Sequence, residues 1–233
     1  MKKTALGPRA LGLAVAISAA GLSASAVAAA EPEISANVAL TSDYVWRGES
    51  QSDEELALQG GFDYEHASGF YIGTWGSSVD FGGDEDIELD YYLGFASALN
   101  GISYDIGYVY LDYPGSDDTD GWWEVYASLS KDFEAFSGEL GATYTTDFVA
   151  SGEDGYYLYL SGSVPVGLFS IGGTVGYQSH DSDYIDDDSW IHYQLGIATS
   201  YAGVDFDLSY HDTNVDDYEL MEDRIVFTIA KAF

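Results

Sequence analysis

Cysteine is absent from the 233 residues. That removes disulfides, thiolate metal ligands and lipid attachment at a cysteine. Proline occurs four times, so long strands can keep their ladder donors. Basic residues are almost as scarce, with seven Lys+Arg against 40 Asp+Glu. Three of the seven (Lys2, Lys3 and Arg9) lie at the N-terminus. Without them only Arg47, Lys131, Arg224 and Lys231 remain, four against 40, a net charge of −36. Such a chain repels phosphates, which excludes nucleic acid as a partner. A long hydrophobic run is missing too: no segment beyond the N-terminal leader approaches the roughly 18 consecutive apolar residues of a membrane helix. Charge of this density can signal disorder, but 20 Tyr, 11 Phe and 5 Trp are more aromatic residues than a disordered chain carries.

What is present begins with a secretory leader. Lys2, Lys3 and Arg9 make a positive n-region, and residues 11–22 form a short stretch of apolar and small residues. Ala26-Val27-Ala28 and Ala28-Ala29-Ala30 both fit the small-x-small cleavage rule. Residues 1–30 are therefore expected to be a signal peptide, cut after Ala28 or Ala30, with residues 31–233 as the exported domain.

From residue 34 onward, apolar and polar side chains alternate in segment after segment, the period of a strand with two environments. In residues 224–233, Ile225, Phe227, Ile229 and Phe233 share one face, with Val226, Thr228 and Ala230 on the other. In the eleventh segment Val204, Phe206, Leu208 and Tyr210 oppose Asp205, Asp207, Ser209 and His211. The first segment reads as residues 34–47: Tyr44 and Trp46 continue its apolar face, and Asn37, Thr41, Asp43 and Arg47 lie opposite. The third, residues 70–79, alternates poorly, and the seventh extends to Phe148 on its apolar face. About twelve segments share 203 residues, about 17 each with a connection, and a barrel strand crosses a bilayer in about 9–11.

The connections alternate in kind. Residues 66–69, 100–101, 132–136, 165–168 and 202–203 are tight breaks, and Asn100-Gly101 is a strong two-residue hairpin signal. Residues 48–55, 82–86, 113–121, 149–155, 181–189 and 214–223 are longer and acidic. Short turns on one side and long loops on the other is the bacterial outer-membrane pattern, with both termini at the periplasmic, short-turn side. The expected fold is all-β, a transmembrane up-and-down antiparallel β-barrel of about twelve strands. A soluble β-sandwich or barrel would alternate as well. Against it stand Trp46, Trp75, Trp122, Trp123 and Trp190 near segment ends, read as an interfacial girdle. Small inward residues such as Gly107, Gly141 and Gly172 read as room for a lumen.

Carboxylates lining a wet lumen favour cations. The inward candidates are Asp43, Asp63, Asp90, Asp105, Glu139, Asp147, Asp205 and Asp207, with Arg47 and Arg224 as the basic members. Arg47 reads as a brace paired with Asp43 or with an acid of a neighbouring strand. The alternative is a constriction that meets an anionic solute group. His180 and His211, with Ser179, Ser182, Ser209 and Asp212 nearby, come nearest to a nucleophile–base constellation. No hydrolase motif frames them, and no enzymatic activity is expected. Asp186-Asp187-Asp188 and the group Asp216, Asp217, Glu219, Glu222 and Asp223 are hard oxygen ligands without EF-hand spacing. They read as solvated loop charge, able at most to hold divalent cations weakly and bridge to lipopolysaccharide phosphates. No cofactor and no dedicated metal site are expected.

Thr41-Ser42-Asp43-Tyr44-Val45-Trp46-Arg47-Gly48 resembles the signature of the TorF family. Gln59-Gly60-Gly61-Phe62-Asp63-Tyr64, then Ser68-Gly69-Phe70-Tyr71-Ile72-Gly73-Thr74-Trp75-Gly76-Ser77, and Glu88-Leu89-Asp90-Tyr91-Tyr92 strengthen the likeness. It is dense over residues 41–94, thinner through the middle, and returns at Ile229-Ala230-Lys231-Ala232-Phe233. TorF proteins are assigned as outer-membrane porins, so the resemblance implies a channel without naming a solute. The closing residues also resemble the carboxy-terminal strand signal of the barrel assembly machinery, with Lys231 where many barrels carry an aromatic. The expected function is passive diffusion of small hydrophilic solutes, cations before anions, across the outer membrane of a Gram-negative bacterium. Lipid, lipopolysaccharide and the assembly machinery are the expected partners, and a monomer the expected state. The alternatives are a non-conducting structural or adhesion barrel with acidic surface loops, and an outer-membrane hydrolase.

Overall fold

The alternation builds a closed wall. The computed structural model describes residues 32–117 and 120–233; the expected signal peptide lies outside the described residues. Fourteen strands follow in chain order: β1 (Glu33–Thr41), β2 (Val45–Trp46), β3 (Glu49–Ser50), β4 (Ala57–Glu65), β5 (Phe70–Ser78), β6 (Ile87–Leu99), β7 (Ile102–Asp112), β8 (Trp122–Asp132), β9 (Ser137–Thr145), β10 (Gly155–Val166), β11 (Phe169–His180), β12 (Ser189–Tyr201), β13 (Val204–Thr213) and β14 (Arg224–Ala232). Among the described residues, all but β2 and β3 form one antiparallel up-and-down barrel of twelve strands, in which β14 pairs with β1. The backbone of Phe233 extends the seam by exchanging hydrogen bonds with Ala36. Closure leaves no strand edge unpaired, which makes a sheet admissible in hydrocarbon.

The two faces differ as the period requires. Ile34, Leu58, Phe62, Ile106, Leu195 and Ile225 are each more than half exposed on the outer face. A continuous apolar outer wall is a surface for lipid and not for water. The inner face carries the polar set. The third strand, Phe70–Ser78, alternates in register after all: Phe70 and Ile72 face out, Tyr71, Trp75 and Ser77 face in. Connections also alternate. Asn100-Gly101 and Ala202-Gly203 turn with positive φ at both residues, the two-residue hairpin geometry, while long loops gather at the other end.

Three expectations need correcting. The first barrel strand ends at Thr41, not Arg47. There the Phe227 carbonyl accepts from the Ser42 N–H at 2.9 Å, the Ser42 hydroxyl accepts from the Phe227 N–H, and the Thr41 hydroxyl donates to the Asp43 carbonyl at 2.8 Å. These bonds cap the strand and turn the chain inward. The seventh strand ends at Thr145, and Phe148 is fully buried in a 3-10 turn, Phe148–Ala150, instead of facing lipid. The tryptophan girdle is not one: Trp46, Trp75, Trp122 and Trp190 are buried inside the barrel, and Trp123 alone of the five lies on the outer face, stacked with Tyr108. Outer-face tyrosines and phenylalanines supply the aromatic belts, as in Tyr156 with Tyr177 near the long loops and Phe70 with Phe95 near the short turns. Tryptophan is drawn inside because the bore at the long-loop end has a core to fill.

Candidate functional site

That core forms around the loop between β1 and β4. Instead of standing outside, the loop dives into the bore as the hairpin β2–β3, and every residue from Asp43 to Ser52 is buried. Arg47 and Gly48 form its tip, both with positive φ (49° and 93°), the two-residue turn that matches strand twist. Arginine is unusual in that conformation. Glycine at 48 is required twice over, since a Cβ there would lie 2.5 Å from Thr213 Cγ2 and 2.7 Å from His192 Cβ. Gly48 is thus pressed against β12 and β13, while the Arg47 side chain reaches on to the wall opposite the hairpin's origin.

Arg47 is caught by that wall. Its guanidinium donates to Glu124 Oε2 at 2.6 Å, to Gln178 Oε1 at 2.6 Å and to the Thr143 hydroxyl at 3.1 Å. It lies 4.4 Å from the centroid of the Tyr157 ring and 4.2 Å from that of Trp46. The Arg47 carbonyl accepts from the Trp190 indole at 2.9 Å. Arg47 is 4% exposed, and at such burial a guanidinium persists only with its charge and donors matched. It is a brace, though its partner is neither Asp43 nor an acid of an adjacent strand but Glu124, on β8 across the bore. Around it Trp46, Trp122, Phe148 and Trp190 pack as a miniature core, with Trp46 and Trp122 centroids 5.9 Å apart and Trp122 and Phe148 5.7 Å apart.

The other predicted residues sort by height in the barrel. Asp43 sits at the base of the hairpin, accepting from Ser50 at 2.7 Å, Ser52 at 3.0 Å and Arg224 at 3.1 Å. Arg224 also reaches Glu54 at 3.4 Å. Asp90 faces inward just below, 1% exposed, with Oδ1 unpartnered among the described residues. Its neighbour Glu88 accepts from Tyr44 and Tyr113. Toward the short-turn end Asp63, Asp105, Glu139, Asp205 and Asp207 face the bore. Asp147 does not: it belongs to the loop after β9, where its carboxylate accepts from the Gly152 N–H at 2.8 Å.

Tyrosine is what the sequence reading missed on the inner wall. Tyr71 donates to Asp105 at 2.7 Å and meets the Tyr126 hydroxyl at 2.6 Å, Tyr159 donates to Glu139 at 2.5 Å, and Tyr92 donates to Asp63. Each ring lies flat on a glycine directly opposite in the ladder: Tyr71 on Gly94, Tyr92 on Gly73, Tyr126 on Gly107, Tyr159 on Gly141. A Cβ at any of the four would overlap the ring. So Gly107 and Gly141, read as open space, are seats for tyrosines that strap adjacent strands together. Only the register shows this. The alternation of Tyr with Gly on polar faces was the available signal.

The hairpin is also held from above. Glu49 accepts from Tyr184 at 2.9 Å and Tyr218 at 3.2 Å, side chains of two other long loops. Burial pushes its carboxyl up to about 7, against the pull of those hydroxyls. The candidate nucleophile–base groups separate into two local contacts. His180 Nδ1 lies 3.1 Å from the Ser182 hydroxyl while its Nε2 has no partner among the described residues, and His211 Nε2 lies 3.0 Å from the Ser209 hydroxyl. A base with one nitrogen unpartnered has no orienting group there. Among the described residues, no three acidic or histidine side chains converge as metal ligands.

Fold and site together define a class: a twelve-strand transmembrane β-barrel whose bore is stoppered at one end by its own first loop. The chain belongs to the family described as "Bacterial protein of unknown function (Gcw_chp)", whose model matches residues 25–233. No curated protein matches the chain. Among solved structures it is similar to the NanC porin in a rhombohedral crystal form (TM-score 0.55, 9% identity, 86% of this chain and 98% of that one). The KdgM porin gives TM-score 0.56 at 8% identity over 85% and 98%. The COG4313 outer membrane channel from Pseudomonas putida F1 gives 0.51 at 12% over 90% and 98%. At such identities the likeness is one of fold. The family shown is Gcw_chp.

Proposed function

We propose that the chain is an outer-membrane channel of porin type, admitting small hydrophilic solutes with preference for cations, and that the conformation described is its closed state. One observation carries the reading: at the short-turn end Asp63, Asp105, Glu139, Asp205 and Asp207 face the bore, while Lys131 and Lys231 occupy outward positions of β8 and β14. Among the described residues no basic side chain faces that part of the bore. Carboxylates in a confined aqueous space concentrate cations and exclude anions. The TorF resemblance and the porin neighbours support a channel, and the acidic long loops fit an exposed outer surface with the short turns in the periplasm. The test is the reversal potential of the refolded protein in a planar bilayer under a KCl gradient. A cation-side reversal is expected, and an anion-side reversal would contradict the proposal.

A second reading rests on the packed long-loop end. Trp46, Trp122, Phe148, Trp190 and Met221 are nearly or fully buried there. If that core never yields, the protein is a structural or adhesion barrel, and the same bilayer experiment gives folded protein without conductance.

A further inference from the structure

We infer that the wall pocket gripping Arg47 is a receptor for guanidinium groups, and that Arg47 is its tethered occupant. The pocket is assembled by four strands: Glu124 on β8, Thr143 on β9, Tyr157 on β10 and Gln178 on β11. It offers what a guanidinium requires and an ammonium uses poorly, namely separate acceptors for two nitrogens in one plane and an aromatic face beneath that plane. Glu124 Oε2 and Gln178 Oε1 each accept at 2.6 Å, from different nitrogens, and the Tyr157 ring lies 4.4 Å from the central carbon.

Three contacts within the wall itself support this geometry. The Thr143 hydroxyl donates to Glu124 Oε1 at 3.1 Å and fixes the carboxylate. The Gln178 amide nitrogen donates to the Ser179 carbonyl at 3.0 Å, which leaves its oxygen aimed at the bore. The Tyr157 hydroxyl meets His192 Nε2 at 2.6 Å and steadies the ring. Glu124 and Gln178 are both more than nine-tenths buried. A carboxylate so buried and so oriented, with its cation delivered from a hairpin tip across the bore, is a binding site whose ligand happens to be covalently attached.

The consequence deepens the channel reading and rests on it. A solute carrying a guanidinium competes with Arg47 for Glu124, Gln178 and Tyr157. When it wins, the hairpin tip loses its charged attachment to the far wall and keeps the Trp190 bond, the packing of Trp46 and the Glu49 bonds to Tyr184 and Tyr218, so the stopper is loosened. The tether gives Arg47 an effective concentration on the order of millimolar, so free ligand must exceed that to displace it. Removing Arg47 removes the competitor and should expose the receptor.

The experiment titrates methylguanidinium into the refolded full-length barrel in detergent at constant ionic strength. It is read by calorimetry and by the fluorescence of the tryptophans around the pocket, with ethylammonium as the control of equal charge. Arg47→Ala should bind methylguanidinium at least tenfold more tightly than the unaltered protein does, and at least tenfold more tightly than it binds ethylammonium. Arg47→Ala/Glu124→Gln should lose that binding. Equal binding of the two cations, or binding that survives without Glu124, overturns the inference. Heat-modifiable electrophoretic migration reports whether each variant folds. Should the alanine variant not fold, the unaltered protein carries the test: agmatine should accelerate hydrogen exchange at residues 44–51, and putrescine, of the same charge, should not. Equal exchange with both overturns the inference. None of these readouts is a conductance. A barrel that binds guanidinium and never conducts refutes the channel and keeps the receptor; one that conducts without binding does the reverse.

Discussion

Gly107→Ala tests the tyrosine straps by putting a methyl group in place of a hydrogen on the inner wall. The new Cβ would overlap Cζ and the hydroxyl of Tyr126 and would lie 2.8 Å from the Leu93 carbonyl oxygen. The carbonyl belongs to the ladder and cannot retreat, so the ring must lift from its seat. Overpacking of this kind costs about 1–3 kcal/mol. Tyr71 spends its proton on Asp105, so Tyr126 is the donor in the Tyr71–Tyr126 contact, and lifting the ring breaks that bond as well. Its loss adds about 1 kcal/mol, and the total is about 2–4 kcal/mol. With an m-value of about 3 kcal/mol/M in urea, the unfolding midpoint in lipid vesicles should fall by about 1 M. Tyr126→Ser removes the ring that clashes and leaves the Leu93 carbonyl contact, so Gly107→Ala should cost clearly less in the Tyr126→Ser background than it does alone. A single variant within about 0.5 kcal/mol of the unaltered protein, or strict additivity in the cycle, would refute the seat.

Three further outcomes follow from the same geometry. Glu49 belongs to the hairpin, its buried carboxyl is raised to about 7, and it faces Tyr184 and Tyr218 with Arg224 nearby. A raised carboxyl favours the docked hairpin while protonated, so docking is strongest below the ordinary carboxylate range and weakens as pH climbs through about 7, by at most about 3 kcal/mol. Hydrogen exchange at residues 44–51, corrected for intrinsic rates, should therefore quicken between pH 5 and pH 8 by more than it does in Glu49→Gln; parallel profiles would contradict this. Arg224→Met leaves the buried Asp43 carboxylate with only Ser50 and Ser52 as partners, and the urea midpoint should drop by the equivalent of about 3 kcal/mol; an unchanged midpoint would show the pair to be idle. In vesicles of brominated lipid, a variant keeping only Trp123 should lose most of its fluorescence, and one keeping only Trp122 should not; quenching of Trp122 would place it in the membrane after all.

The barrel was legible because its wall obeys one rule twelve times. Ile225, Phe227 and Ile229 face out and Val226 and Thr228 face in for the same reason that Leu208 opposes Asp207. The inward hairpin was not legible from that rule. Tyr44 and Trp46 continue the alternation of β1 without a break, and a hairpin folded into a bore has the same period as a strand in its wall. The one local mark was Arg47-Gly48, a glycine-bearing two-residue break between Trp46 and Glu49. The tryptophans misled because burial inside a stoppered barrel and burial at a lipid interface draw on the same residue type. Asp63 and Asp105 could be placed on the inner face by parity, but their tyrosine partners lie on other strands. Arg47 and Glu124 are 77 positions apart, and nothing in either neighbourhood announces the other.

We propose that the first loop stoppers a channel. This is tested most directly by comparing single-channel records of the unaltered protein with those of Arg47→Ala/Glu124→Ala, a pair of changes that leaves no buried charge without its partner. The unaltered channel should be mostly closed, and the double variant should be open at least tenfold more of the time, with current carried by cations. Two folded, membrane-inserted proteins that both stay silent would contradict it.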